Sequence, residues 1–246
     1  MVIALLADVH SNLEALEACL AHARDSGAGR YAFLGDLVGY GADPGAVIEL
    51  IARYAAEGAI VVKGNHDAAV EKRAGYMNDT GTEVIEWTRE VLSADAKAFL
   101  AQLPLSVVEG TMCFVHASAA SPERWDYVDS ITAALKSIDA AQVPYTFSGH
   151  VHEQMLYFQS SVGKVGAYSP LQGSPISMHN NRSWHALVGS VGQPRDRNPS
   201  AAYALFDSER EQMTFHRVPY DHLAAAGKIR KAGLPGSIAY RVEMGI

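Results

Sequence analysis

The sequence predicts an α/β fold in which two sheets pack together with helices outside them. Three observations carry this. The first half alternates short buried strands with amphipathic helices at the spacing of parallel strand–helix–strand crossovers. The last third turns strand-rich, with polar or Gly/Pro turns between apolar runs. Apolar side chains make up 48% of the 246 residues, enough for a chain of this length to bury roughly 70–75% of its unfolded surface. No linker, low-complexity tract or internal repeat interrupts the chain, so a single domain over residues 1–246 is expected.

The elements follow in order. Val2–Ala7 reads as a buried strand. Ser11 or Asn12 can cap the next helix, whose Leu13, Leu16 and Leu20 share one face and which Gly27 and Gly29 end. Tyr31–Leu34 is a second strand. Asp43-Pro44 supplies an N-cap and first-turn proline for a helix striped by Val47, Ile48 and Ile51, and Ala59–Val62 is the third strand. Glu83–Leu92 and Ala94–Leu103 read as helices, the second capped by Ser93 and stopped before Pro104. Leu105–Glu109 and Met112–Val115 form a hairpin-like pair around Gly110-Thr111. Ile131–Ile138 is a short helix and Tyr145–Ser148 a strand. Met155–Ser161, Ala186–Val188, Ala202–Phe206 and Gln212–Val218 are strands, and Asp221 caps a final helix ending near Gly233.

Composition narrows the function. The 27 acidic residues outnumber 20 basic ones, for a formal charge of −7. That balance argues against coating nucleic acid or an anionic membrane, which reward clustered Lys and Arg. Lys228-Ile229-Arg230-Lys231 is too short to change this and complements a helix C-terminus. Cys19 and Cys113 stand alone in apolar segments, as buried thiols of a reducing compartment do. Val2–Ala7 is too short for a signal core, and no stretch reaches the roughly 18 apolar residues of a membrane span. A soluble cytoplasmic protein is expected.

The chemistry lies where the strands end. Asp8-Val9-His10 follows the first strand, Gly35-Asp36 the second, and Gly64-Asn65-His66-Asp67 the third. His116 ends Met112–Val115, and Gly149-His150-Val151-His152 ends Tyr145–Ser148. Ligands of open parallel sheets bind beyond the carboxyl ends of the strands, so these turns can converge. Oxygen and imidazole donors without thiolate suit Mn, Fe, Zn or Ni better than calcium or a structural zinc. Any one of these residues alone is more simply a surface turn or a hydrogen-bonded histidine. The ordered set of five is not.

That set resembles the signature of the calcineurin-like metallophosphoesterases, and Gly189-Ser190-Val191-Gly192-Gln193-Pro194-Arg195-Asp196 resembles a run seen in their small bacterial and archaeal phosphodiesterase branch. The resemblance implies a four-layer α/β/β/α sandwich of two mixed sheets. It also implies two divalent transition-metal ions: Asp8, His10, Asp36 and His152 around one, with Asp36 bridging to a second held by Asn65, His116 and His150. His66 is implied as an acid or transition-state contact, with Asp67 orienting it. A carboxylate with two usable oxygens can bridge metals about 3.5–4 Å apart, and paired cations lower the pKa of a shared water enough to make a hydroxide for in-line attack on phosphorus. Manganese is among the metals this donor set accommodates.

The expected activity is therefore that of a metal-dependent phosphoesterase on a small phosphorylated substrate, most simply a phosphodiester. A phosphomonoesterase or dinucleoside-polyphosphate hydrolase would use the same centre. Some proteins of this fold, such as a subunit of the retromer sorting complex, resemble non-catalytic binding modules, but a scaffold has no need of a histidine at position 66. Homo-oligomerisation is left open. Substrate choice is expected in the rim, residues 68–80, 117–130 and 160–184, whose bases are Lys72, Arg73, Lys164 and Arg182. Arg195 either pairs with a substrate phosphate or is solvated, and Tyr40 either walls the cleft or packs on a neighbouring helix. Trp87 and Phe99 read as core, His22 and His222 as exposed, and His179, His185 and His216 as structural.

Overall fold

A computed structural model describes residues 1–71 and 79–246. Lys72 and Arg73 of the expected rim lie outside the described residues. The first sheet holds β1 (Val2–Leu6), β2 (Arg30–Leu34), β3 (Ile60–Val62), β9 (Ile176–Ser177), β11 (Ala201–Asp207) and β12 (Gln212–Val218), in the order β3-β2-β1-β11-β12-β9. Strands β3, β2 and β1 are parallel, and β11 runs antiparallel to β1. The second sheet holds β4 (Ser106–Glu109), β5 (Met112–Val115), β6 (Tyr145–Ser148), β7 (Gln154–Ser160), β8 (Val165–Tyr168) and β10 (Arg182–Val188), in the order β4-β5-β6-β10-β7-β8. Its centre, β5-β6-β10, is parallel. Both sheets are mixed, and they match the expected four-layer sandwich.

Alternation along β1 shows how the layers form. Ile3 and Leu5 point between the sheets, where they meet Phe114, Phe147, Leu156 and Phe206. Ala4 and Leu6 point outward to the helix layer, onto Leu16, Cys19, Val47 and Ile51. A strand buried on both faces reads as a continuous apolar run, as Val2–Ala7 does. The outer helices here are α1 (Leu13–Asp25), α2 (Pro44–Ala56) and α5 (Ala94–Gln102). On the far side α6 (Ile131–Ala141) covers the second sheet through Ala134, against Tyr157 and Leu187.

Several local expectations were met and several were not. Asn12 caps α1, its side chain accepting from the Ala15 N–H, and Ser93 caps α5. Asp43 precedes α2 but makes no side-chain cap, because its carboxylate is taken by Lys228 at 2.8 Å. Residues 64–67 are not only a turn: Asn65 begins helix α3 (Asn65–Glu71). The next helix, α4 (Asp79–Val91), starts earlier than periodicity predicts. After α7 (His222–Lys231) comes a further helix, α8 (Gly236–Met244), whose Ile238, Ala239 and Val242 pack on Ala225, Ala226 and Ile229. Trp87 and Phe99 are half-buried against cores, as expected. His22 is not exposed; its Nδ1 lies 2.6 Å from the Tyr203 hydroxyl, and His222 is half-buried too. His185 is fully buried with its Nε2 2.7 Å from Ser148 Oγ, whereas His179 is exposed. Cys19 and Cys113 are buried free thiols.

Strand register moves two residues away from the expected rim. Val188, at the site end of β10, pairs with Gln154, while Arg182 pairs with Ser160 at the other end. The β7–β8 turn carrying Lys164 follows Ser160, so it too lies at that far end. Arg182 instead sits over the rings of Phe158 and Trp184, 4.8 and 5.7 Å from their centroids. The antiparallel reversal, invisible to local periodicity, decides this.

Candidate metal centre

The carboxyl ends of β1, β2, β3, β5 and β6 meet at one place. Asp8, His10, Asp36, Asn65, His116, His150 and His152 are all buried there. Three groups of donors have ligand atoms within 4.8 Å of one another: Asp8, His10 and His152; Asp36, His116 and His150; and His10, Asp36 and His66. Six of the seven expected ligands are thus brought together, His66 reaches the same cluster, and Asn65 joins it through its Oδ1, 3.0 Å from His116 Nε2.

The backbone is shaped for this convergence. Asp8, His10, Asp36, His150 and His152 have φ between 48° and 67°, the left-handed region that non-glycine residues rarely occupy. Such residues cost on the order of 1–3 kcal/mol each and persist only where the surroundings enforce them. Two glycines permit the approach. A Cβ at Gly64 would overlap the backbone nitrogen and Oδ1 of Asp36, and one at Gly149 would overlap Asp8 Oδ2.

Each carboxylate divides its oxygens. Asp8 Oδ2 accepts the His150 N–H at 2.8 Å, leaving Oδ1 3.2 Å from His152 Nε2. Asp36 Oδ1 accepts the His66 N–H at 2.8 Å. Its Oδ2 lies between the two groups, 3.7 Å from His10 Nε2 and 3.5 Å from His116 Nε2. Asp36 therefore offers both groups the same oxygen, rather than one oxygen to each as the sequence argument assumed.

The imidazoles are pinned from behind. Nδ1 of His10, His116 and His152 faces the backbone carbonyls of Val38 (3.2 Å), Leu34 (2.8 Å) and Gln193 (2.6 Å). A ring nitrogen facing only a carbonyl must donate, which leaves Nε2 as the lone-pair atom, the orientation of a metal-binding histidine. The Nε2 atoms of His10 and His152 then confront each other at 3.1 Å. Likewise His116 Nε2 lies 3.0 Å from Asn65 Oδ1 and 3.1 Å from His150 Nδ1. Only a shared proton or cation relieves such an array, and burial pushes the pKa of His10 well below the ordinary histidine value, with the charges of His152, His66 and Arg195 acting the same way. Asp36 is pushed up to about 8 by burial, opposed by His116 and reinforced by Asp67 and Asp8. Asp8 is buried as well, yet its contact with His152 and the charges of His116 and His150 hold it down at about 2, and against the effect of burial Asp36 and Asp8 in turn raise the pKa of His116. The deficit of positive charge therefore falls on Asp36, and divalent cations fit it.

Asp67 does not orient His66. Its Oδ1 accepts from the N–H groups of Leu37 (2.9 Å) and Val38 (3.2 Å), and its Oδ2 from Gly64 (2.8 Å). It ties the loop after β2 to the loop after β3. The His66 ring instead clusters with those of Tyr40 and His10, at centroid distances of 4.6 and 4.9 Å, and its buried Nδ1 has no hydrogen-bond partner among the described residues. Burial, then the charges of His152, His116 and Arg195, lower its pKa to about 3.

Tyr40 touches the His10 and His66 rings and packs against the α7–α8 cluster. Arg195 is half-buried beside the centre, its N–H bonded to His152 O at 3.3 Å. The run at 189–196 is a strap. Ser190 Oγ and Gly192 N both donate to Asp8 O at 2.9 Å, and Asn12 Nδ2 donates to Gly192 O at 2.9 Å. Sequence reasoning missed two aromatic residues. Tyr127 stacks on His150 (centroids 4.1 Å, 28°) and Trp125 meets His116 edge-on at 5.9 Å. Their signal was an aromatic pair, Trp125-Asp126-Tyr127, in a polar loop shortly after His116.

The fold and sequence are similar to those of known proteins. A solved metallophosphoesterase from Sphaerobacter thermophilus is 34% identical, with a TM-score of 0.87 and 100% of both chains covered. A hypothetical protein from Pyrococcus horikoshii shares the fold at a TM-score of 0.79 and 21% identity, covering 100% of this chain and 98% of that one. An uncharacterized protein of Methanocaldococcus jannaschii is 34% identical over 252 residues, 99% of this chain and 98% of its own. Residues 1–211 match the calcineurin-like phosphoesterase superfamily domain, and with these donors at its strand ends the chain belongs to that superfamily.

Proposed function

We propose that the protein is a hydrolase of small phosphodiesters working with two divalent transition-metal ions, Asp8, His10, Asp36 and His152 holding one and Asp36, Asn65, His116 and His150 the other. The observation that carries this is Asp36 Oδ2, set between two groups of buried donors whose histidines are pinned by backbone carbonyls. When bound, paired cations polarise phosphoryl oxygens and lower the pKa of water between them. The chain's own residues do the rest. The strap at 189–196 and the brace by Asp67 keep the donors from relaxing apart. Neutral His66 donates a hydrogen bond to an oxygen of the reacting phosphate, consistent with its depressed pKa. Arg195, whose charge is felt by His10, His66 and His152, attracts the anionic substrate.

Lys164 and Arg182 lie at the far end of the strands, which among the described residues leaves Arg195 as the cation acting on the site histidines, and this favours a compact diester over a polyphosphate. Among the described residues no helix is long and apolar enough to cross a membrane, and the two buried thiols fit a cytoplasmic setting. The test is hydrolysis of bis(p-nitrophenyl) phosphate after reconstitution with Mn²⁺, Fe²⁺, Zn²⁺ or Ni²⁺, beside metal analysis of the same samples. Release abolished by EDTA and by Asp36→Asn is expected. Absence of metal-dependent release from any mono- or diester would overturn the reading.

A further inference from the structure

We infer that the loop between β5 and α6 builds a stacking subsite for a nucleobase, so that the organic group carried by the phosphate is a nucleoside; this rests on the phosphoesterase reading above. Tyr127 covers the His150 ring with one face, yet the residue stays 52% exposed, leaving its other face open beside the centre. Trp125 stands edge-on to His116, so both rings border the Asp36–His116–His150 half of the site. Next to Tyr127 lies a cavity of about 260 Å³ lined by Ser118, Ala120, Asp126, Tyr127, Ser130 and Lys136. Hydroxyls, a carboxylate and an ammonium around one aromatic wall match the mixed donor and acceptor edges of a base and sugar.

The loop is held, not merely present. Ser121 and Trp125 take left-handed backbone conformations, φ 60° and 57°. Ala119 N donates to Ser137 Oγ at 2.8 Å, and Ala120 N donates to Ser118 Oγ at 3.1 Å. Val128, one residue past Tyr127, is buried with Ala134, Tyr157 and Leu187. A ring presented on a fixed loop loses little entropy when a flat ligand stacks on it. A single exposed tyrosine needs no explanation by itself. One stacked on a candidate ligand, beside a polar cavity and on a strained, anchored loop, has the features of a binding wall.

Base stacking on an aromatic side chain corresponds to about 5- to 150-fold in affinity. The Mn²⁺-reconstituted protein should therefore bind AMP more tightly than inorganic phosphate by a factor in that range, measured by calorimetry. Tyr127→Ala should bring the ratio of the two affinities close to one, and Tyr127→Phe should preserve it. A wild-type ratio near one, or a ratio that Tyr127→Ala leaves intact, overturns the stacking subsite while the phosphoesterase reading stands. If hydrolysis of bis(p-nitrophenyl) phosphate also fails under every metal, the phosphoesterase reading has fallen and this inference falls with it.

Discussion

Replacing Asp67 by Asn separates two roles for a buried carboxylate next to a candidate catalytic histidine. Asp67 accepts three backbone N–H groups, two on Oδ1 and one on Oδ2. In the variant the side-chain oxygen keeps Leu37 and Val38, but the new amide group faces the Gly64 N–H, donor against donor. The loss is one charge-assisted hydrogen bond, about 1.5–3 kcal/mol, plus one unpaired buried N–H at about 1–3 kcal/mol. Removing a carboxylate that raises the pKa of Asp36 returns part of this, leaving roughly 2–4 kcal/mol. That is a large share of a typical stability of about 5–15 kcal/mol, and it corresponds to a melting point lower by about 4–16 °C. Scanning calorimetry, metal content after Mn²⁺ reconstitution and turnover of bis(p-nitrophenyl) phosphate are measured on one preparation. Melting temperature and bound metal should fall together, with activity tracking the metal retained. A variant with wild-type melting temperature and metal content but depressed turnover would refute the bracing role and return Asp67 to His66.

The remaining predictions concern separate parts of the molecule. His66→Ala should lower turnover by about 10²–10³-fold, the range for losing one preorganised donor, with bound metal nearly unchanged; loss of metal in that variant would make His66 a ligand instead. Gly149→Ala places a methyl group against Asp8 Oδ2 and should cost about 1–3 kcal/mol by overpacking while lowering metal affinity; unchanged metal titrations would contradict the packing argument. Arg195→Ala should raise KM for an anionic diester by about 10–100-fold, as expected for a lost charge-assisted contact, at constant metal content; an unaltered KM would leave Arg195 as a solvated residue. Burial lowers the pKa of His185 to about 3, so the unfolded chain takes up a proton there first as pH falls. Its stabilising contribution is complete above the unfolded value near 6.5 and is lost progressively toward about 3, by about 2 kcal/mol at pH 5. Denaturant titrations at pH 7 and 5 should show a smaller loss for His185→Gln than for the wild type, and equal losses would exclude His185 as a contributor.

What the sequence by itself determined is the alternation of strands and helices in the first half and the identity and order of the candidate metal-binding side chains. Both are local properties: a buried run such as Val2–Ala7 announces its strand, and the polar residues directly after it, Asp8 and His10, must leave the core at the strand's carboxyl end. Parallel pairing then brings such ends together. The tertiary structure alone decided how those groups are used. Asp67 bonds to Leu37 and Val38, about thirty residues away, and not to its neighbour His66. Asp36 spends one oxygen on the His66 N–H and aims the other at both donor groups. Strand reversal sent Lys164 and Arg182 to the far end of their sheet, while a strained loop carried Trp125 and Tyr127 onto His116 and His150. Side-chain periodicity records which face of an element is buried, whereas hydrogen-bond partners and strand register depend on segments distant in the chain, so only the folded molecule settles them.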